Sequence, residues 1–500
     1  MSLVLAVDIG TSNIKAGVVN ETGEILSIAE KELKIERPES GAAEHNPDKL
    51  YREFLNISRK VLIGFENKVS AMTLSAYQLG ILPLDGNMEP LTGIMTLLDV
   101  RSQETAEFLK KKYDMKKLYS NTGCPAIFQY PLFKIFWLRE KRKEIFRKAR
   151  FYMSSKDYII YRLLGKPFSE FSIASATQLF NINSFRWDEY AMGIAGIDEN
   201  KLPQLIPGDK ILSRLPFETQ KSLGLKNEVY LVPGVYDGGG SALGTAGLLD
   251  GVGAINVGTT AMLRVSCTKP ILDRSGLMRF YPYYLCHGKW FVGAGINNAG
   301  LSLRWFRDNI LSSDYSHLVS LAEKARPGSD NLFFLPFFTG ERDPRIGSFA
   351  SAVLFGLKEL HTKNHIVRSF LEGVVYSLRL IKEALQDNDV KIKEIRIGGS
   401  GSKSDLWQQI FADILKIPIR RAKSEQAGLI GESMLAYIAL GKYKSIEEAT
   451  CKMVKLENSV SPIQKNMKIY DKGFKFFSFL LKEMGNIYPA HYSLAKPDSN

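Results

Sequence analysis

Apolar positions along the chain fall into runs of two kinds, short unbroken ones and long ones with helical spacing. Residues 3–7 form a short apolar run, a polar turn from Asp8 to Asn13 interrupts it, and residues 14–19 resume it before a second turn at 20–23. This pattern predicts a β-hairpin with a polar, glycine-containing tip. The next periodic stretch begins at Asn46, which can cap a helix, followed by Pro47 at the first helical position and by Leu50, Phe54, Ile57 and Leu62 on one face. Strand, turn, strand and helix in that order predict an α/β domain.

The opening hairpin has a counterpart near mid-chain. Residues 253–257, the turn Gly258, Thr259 and Thr260, and residues 261–265 repeat it, so that Asp8-Ile9-Gly10-Thr11-Ser12 matches Asn256-Val257-Gly258-Thr259-Thr260. Two copies of one hairpin imply two lobes of related topology. The glycine-rich stretch at 244–251 separates them, which divides the chain into lobes 1–246 and 247–500. A cleft between two such lobes is the expected place for the active site.

Length and composition support this division. A chain of 500 residues exceeds what one core usually holds, and 45% hydrophobic with 24% charged residues excludes a disordered or fibrous chain. The net charge of +13 would steer anions toward the protein, yet Lys and Arg are spread along the whole chain. Their densest run, Lys134 to Arg150, interleaves with Phe136, Trp137, Leu138, Ile145 and Phe146, and this predicts an exposed helical face rather than a nucleic-acid patch. The four cysteines form no CxxC pair, which excludes a disulfide framework and a zinc knuckle and fits a reducing compartment. His361 and His365 have the spacing of a helical metal motif but lack its Glu and third ligand, so they read as surface histidines. The apolar run at the N-terminus is short for a signal peptide, and no stretch supplies the roughly 18 apolar residues of a membrane span. The expectation is a soluble, cytoplasmic protein without a membrane or nucleic-acid partner.

Three segments can carry chemistry. In Asp8-Ile9-Gly10-Thr11-Ser12-Asn13-Ile14-Lys15, glycine lets the backbone approach a phosphate, hydroxyls and a lysine can donate to its oxygens, and the acidic residue can hold Mg²⁺. The repeat at Gly258-Thr259-Thr260 would let two facing hairpins clamp a triphosphate. In Gly234-Val235-Tyr236-Asp237-Gly238-Gly239-Gly240-Ser241, a carboxylate flanked by glycines is open to a substrate hydroxyl whose proton it can accept; an Asp-Gly turn is the plain alternative. The third segment, Gly398-Gly399-Ser400-Gly401-Ser402-Lys403-Ser404, joins a strand to a helix, where small residues can admit a nucleotide near the helix N-terminus.

With these motifs in this order, the chain resembles the FGGY carbohydrate kinases, whose fold consists of two duplicated RNase H-like (actin-like ATPase) lobes around a central cleft. The likeness extends over roughly residues 3–442 and includes the Lys134 to Trp137 segment, GVYDGGG, VGTT and the stretch from Ser351 through Leu371-Glu372. The resemblance implies ATP and Mg²⁺ as cofactors, Asp237 as catalytic base, and Asp8 near the metal and the reacting hydroxyl. Gly10, Thr11, Ser12, Lys15, Gly258, Thr259 and Thr260 match phosphate-loop positions, while Gly300, Gly399, Ser400, Gly401 and Ser404 match the nucleotide side. Asp99 and Arg101 match a substrate-side D-x-R element, and Gln78, Leu79 and Gly238 also fall on the substrate side. The lobe 1–246 would then face the sugar and 247–500 the nucleotide, with a homodimer a further implication.

Gly238 after the candidate base, Arg264 after the second turn, and Ile296-Asn297-Asn298-Ala299-Gly300 make the chain most similar to the gluconokinase branch, with xylulokinase or another ketose or polyol kinase as the alternative. Two departures bear on the pocket: Gln78-Leu79 stands where both branches tend to have Met-His, and Leu97 where a Trp precedes the D-x-R element. The rival classes are a silent sugar or nucleotide sensor on the same fold and an actin-like or chaperone-like ATPase.

Overall fold

The computed structural model describes residues 2–343, 345–347 and 349–494. Strand β1 (Leu3–Ile9) pairs antiparallel with β2 (Asn13–Val19), which pairs with β3 (Ile25–Glu32), and on its other edge β1 runs parallel to β4 (Val69–Ala76). The short strands β5 (Ser213–Arg214) and β6 (Tyr230–Val232) complete a sheet of order β5-β6-β4-β1-β2-β3. Helix α1 (Pro47–Leu62) starts as its sequence requires, with the Asn46 side chain accepting from the Lys49 N–H at 2.9 Å.

Side chains of β1 alternate between two cores, because successive residues of a strand point to opposite faces. Leu3, Leu5, Val7 and Ile9 pack with Leu50, Phe54 and Ile57 of α1, whereas Val4 and Ala6 enter a core that continues into the C-terminal half. With both faces covered, the strand reads as an unbroken apolar run.

The charged run does not form one exposed face. Helix α2 (Pro131–Lys141) is buried from Pro131 to Leu138, and only the following helix, Lys143–Lys148, lies at the surface. Lys134 is 1% exposed. The aromatic and aliphatic residues around it cover most of the α2 circumference and carry the lysine inward with them.

After helix α3 (Asp237–Gly244) the arrangement repeats. Strands β7 (Val252–Val257), β8 (Ala261–Cys267), β9 (Tyr281–Cys286), β10 (Lys289–Ile296), β11 (Glu394–Gly398) and β12 (Ile419–Arg421) form a second sheet of order β9-β10-β8-β7-β11-β12. The series β3-β2-β1-β4-β6 and β10-β8-β7-β11-β12 match: three antiparallel strands and then two parallel ones. These are the two duplicated lobes that the repeated hairpin implies. His361 and His365 precede and open helix α4 (Lys363–Gln386), and both contact Asp330, through its carbonyl and its carboxylate respectively.

The halves interlock. Helix α5 (Asp405–Leu415) stays with the second sheet, but α6 (Ala427–Ala439) packs on α3 and on the first sheet, where the Tyr437 hydroxyl donates to the Ser2 and Val19 carbonyls. Glycine permits this approach: a Cβ at Gly244 would stand 1.8 Å from the Ala427 carbonyl oxygen, and one at Gly431 1.9 Å from that of Gly240. Gly431→Ala is therefore expected to destabilise the protein by about 1–3 kcal/mol through overpacking. Gly485, inside the terminal helix α7 (Gln464–Ser493), has open space where its Cβ would be, so Gly485→Ala is expected to raise stability slightly. Thermal melts of the two variants check the pair.

Candidate active site

Two cavities meet at Asp237. The first, about 430 Å³, includes Thr11, Ser12, Gln78, Leu79, Thr259 and Thr260 in its wall. The second, about 440 Å³, includes Asp8, Gly10, Lys15, Gly399 and Ser400. Asp237, Gly238, Ser241, Thr245, Asn256 and Gly398 border both. Each cavity draws on both halves of the chain.

The turns that flank this junction close alike, since the Gly10 N–H donates to the Asn13 carbonyl and the Gly258 N–H to the Thr260 carbonyl, both at 2.9 Å. Gly258 and Gly300 border neither cavity. The Gly300 N–H instead donates to the Gly258 carbonyl at 2.9 Å and supports the turn from behind. Gly401 also lies outside, because a Cβ there would stand 2.6 Å from Val257 and 2.7 Å from Trp407, which makes it a packing position. Ser404 caps α5, accepting from the Trp407 N–H at 3.2 Å.

Asp99 and Arg101 are withdrawn from the cavity wall as well. Asp99 is 1% exposed and accepts from the Arg101 guanidinium and from the Ala43 N–H, while Arg101 also pairs with Glu39 and Glu44 and lies over the Trp137 ring. This clasp leaves neither group free for a ligand; Leu97 and Leu98, just before it, are the residues that face the cavity. The aromatic wall missing at Leu97 is supplied from the other half by Tyr281 and Tyr283, which stack at 4.3 Å.

The first cavity also holds buried polar atoms of Gln78, which the resemblance puts on the substrate side, and of Arg264 and Gln129, to which it gives no site role. Arg264 is 7% exposed, forms no ion pair with a described residue, and has a buried Nε without a hydrogen-bond partner. Gln78 Nε2, a donor, and Gln129 Oε1, an acceptor, are likewise buried and unpaired in the same wall. Such atoms are uncommon in proteins because each costs about 1–3 kcal/mol of desolvation. Gln78 thus offers a polar donor to the cavity where the expected histidine is absent.

The second cavity adds Asp8 and Glu425 to Asp237, beside the cations Lys15, Lys403, Arg421 and Lys423. Asp8 accepts from the Ser75 hydroxyl at 2.6 Å; burial raises its pKa, against the pull of Ser75 and Lys15. Burial and the neighbouring Asp8 charge push Asp237 up to about 7, opposed by the Gly238 N–H, Arg264 and Lys156. At neutral pH a carboxyl so poised exchanges a proton readily, as a general base must. Asp8 lies on the second-cavity side of Asp237 and not in the wall of the first.

The segment bearing Asp237 is anchored by groups from three parts of the chain. The Val235 N–H faces both carboxyl oxygens of Glu432 at 3.3 Å, Lys156 donates to the Val235 carbonyl at 2.8 Å, and the Tyr236 N–H donates to Ser172 Oγ at 3.0 Å. Lys156 also pairs with Glu170 at 3.2 Å, both fully buried. Burial pushes Glu432 up to about 8, against Lys156 and the Val235 N–H. The glycines around Asp237 serve this packing: a Cβ at Gly234 would stand 1.9 Å from Glu432, one at Gly238 2.4 Å from Arg264, and one at Gly240 2.7 Å from Glu432. They admit neighbouring protein groups, not only a ligand. A lone carboxylate in the apolar run of α6 was the available sign of Glu432, and the sign of Arg264 was its place four residues after Thr260 of the second turn.

Comparison with known proteins identifies the family of the chain. Residues 3–244 match the N-terminal domain model, and residues 253–440 the C-terminal domain model, of the FGGY family of carbohydrate kinases. The chain is 31% identical to a gluconokinase of Bacillus subtilis over 97% of both chains, and 28% identical to a xylulose kinase of Lactococcus lactis over 97% of this chain and 98% of the other. A gluconate kinase structure from Lactobacillus acidophilus superposes with a TM-score of 0.93 at 26% identity, covering 98% of this chain and 99% of that one. Among the described residues no helix is long and apolar enough to cross a membrane. With both domain models matched in order across the two lobes, the chain belongs to the FGGY family of carbohydrate kinases.

Proposed function

We propose that this kinase transfers the γ-phosphoryl group of ATP to a terminal hydroxyl of a sugar acid, with gluconate as the acceptor, and that Asp237 is the base. The observation that carries the reading is the set of buried, unpaired polar atoms in the first cavity. Arg264 supplies a charged donor for a carboxylate, while Gln78 Nε2 and Gln129 Oε1 offer one donor and one acceptor for hydroxyls. A neutral ketose would leave the Arg264 guanidinium with only the Asp237 charge nearby and no hydrogen-bonded anion, and a buried charge without such a partner is costly.

In this assignment the sugar occupies the first cavity and the triphosphate the second. Asp237 accepts the hydroxyl proton as the oxygen attacks the γ-phosphorus; the new O–P bond forms, the bond to the β-phosphate oxygen breaks, and ADP leaves. Thr11, Ser12, Thr259 and Thr260 present hydroxyl and amide donors to the phosphate that crosses between the cavities. Asp8 suits Mg²⁺, which commonly takes one or two protein carboxylates and completes its shell with phosphates and water. Bound there, the ion neutralises phosphate charge. Lys15, also in the second cavity, contacts Gln426 at 3.4 Å and is placed to meet the nucleotide.

Four outcomes follow. Because the base must be ionised and sits near 7, kcat at saturating sugar should rise with pH through about 7 and level off above it, as a pH series would record. Asp237→Asn should lower kcat by about 10²–10⁴-fold while a non-hydrolysable ATP analogue still binds within a few fold by calorimetry. In an ADP-release assay across aldonates, ketoses and polyols, gluconate should be the preferred acceptor. Arg264→Gln should raise its KM by roughly 30-fold, the loss of a charge-assisted contact worth about 2 kcal/mol. Preference for a ketopentose with unreactive aldonates would overturn the sugar-acid assignment.

A further inference from the structure

We propose that Lys134 is a positioning residue for the sugar pocket: its buried ammonium ties together the two backbone segments, 77–79 and 96–98, that build one wall of the first cavity. The inference rests on the reading that this cavity takes the sugar. From α2 the Lys134 Nζ donates to the Leu79 carbonyl at 2.7 Å and to the Thr96 carbonyl at 2.6 Å, with the Met95 carbonyl at 3.4 Å. An ammonium has three donors and no acceptor, so three carbonyls satisfy it. No other described donor meets the Leu79 carbonyl.

What is held there matters to the ligand. Gln78 and Leu79 face the cavity from one segment and Leu97 and Leu98 from the other. Leu79 has φ 65, a left-handed backbone that a bulky residue adopts only where its surroundings impose it. The Lys134 contact lies at that residue. The second segment is fixed again from its far end by the Asp99–Arg101 clasp, so the D-x-R element acts on the pocket indirectly. Removing the ammonium would free the Leu79 carbonyl and let the unpaired Gln78 donor drift from the sugar.

The charge on Lys134 is itself delicately placed. Burial pushes it down to about 7 from 10.5; Asp99 resists this shift and Arg101 adds to it. Between these two values the folded chain sheds a proton that the unfolded chain keeps, so this group's contribution to stability rises with pH. Its grip on the carbonyls weakens over the same range. Sugar affinity should therefore fall above pH 7 without a parallel loss of stability, whereas ionisation of Asp237 raises kcat.

The test combines kinetics with hydrogen exchange on the intact enzyme. With ATP and the acceptor turned over best in the panel, Lys134→Met should raise sugar KM by about tenfold and leave the KM for ATP within about twofold. In the ligand-free protein, amide exchange should quicken in 77–81 and 94–99 but not in β1. Wild-type sugar KM should rise severalfold from pH 7 to 9, and the variant should lack that rise; this arm needs no substitution to be tolerated. Unchanged exchange in both segments, or equal increases in both KM values accompanied by a lower Tm, would overturn the proposal. If gluconate fails as acceptor while the segments still loosen, the sugar-acid reading falls and the positioning role of Lys134 stands.

Discussion

The crossing of α3 and α6 determines where Asp237 stands. Asp237 opens α3, and the helix can lie against α6 only because glycine occupies each point of nearest approach. The same contact lets Glu432 of α6 reach the Val235 N–H, so one helix from the C-terminal half both abuts the helix that Asp237 opens and holds the strand-to-helix segment before it. Packing density and polar anchoring act at one place. A shift of either helix would move the carboxylate relative to both cavities, and phosphoryl transfer depends on in-line geometry more than on any covalent step by the protein.

Around this contact the protein buries more charge than a core normally contains. Lys156 and Glu170 form a fully enclosed pair, and Glu432, Asp8 and Asp237 add three carboxyl groups nearby. Mutual repulsion and burial keep the carboxyl groups easy to protonate, while Lys156 and Arg264 offset part of that tendency. Asp237 is left with a proton affinity close to neutrality, the condition that the proposed role of base requires. A buried pair such as Lys156–Glu170 adds little to stability on balance; its contacts to Val235 and Ser172 indicate that it contributes position.

The two cavities do not follow the boundary between the two lobes. Arg264, Tyr281 and Tyr283, all from the C-terminal half, line the first cavity beside Gln78 and Leu79 from the N-terminal half. The duplicated sheets therefore form a frame whose seam holds both cavities. Lys134 and the Asp99–Arg101 clasp lie one layer behind the first cavity and set its wall without touching its interior.

Local rules made much of this legible in advance. The opening hairpin, its repeat, the Asn46-capped helix and the strand-to-helix turn at 394–405 all follow from hydrophobic period and turn chemistry, which act over a few residues. The order of the glycine-bearing motifs likewise sufficed for the family and for Asp237 as candidate base. Tertiary structure alone decided the rest. Whether a glycine frees space for a ligand or for a neighbouring side chain depends on what arrives from elsewhere in the chain; Gly238 and Gly240 make room for Arg264 and Glu432. Whether a lysine in a charged run is solvated or buried depends on how completely its helix is covered, as Lys134 shows. Pairings such as Val235 with Glu432 join residues far apart in sequence, and no local pattern records a contact whose two halves meet only when the lobes fold together.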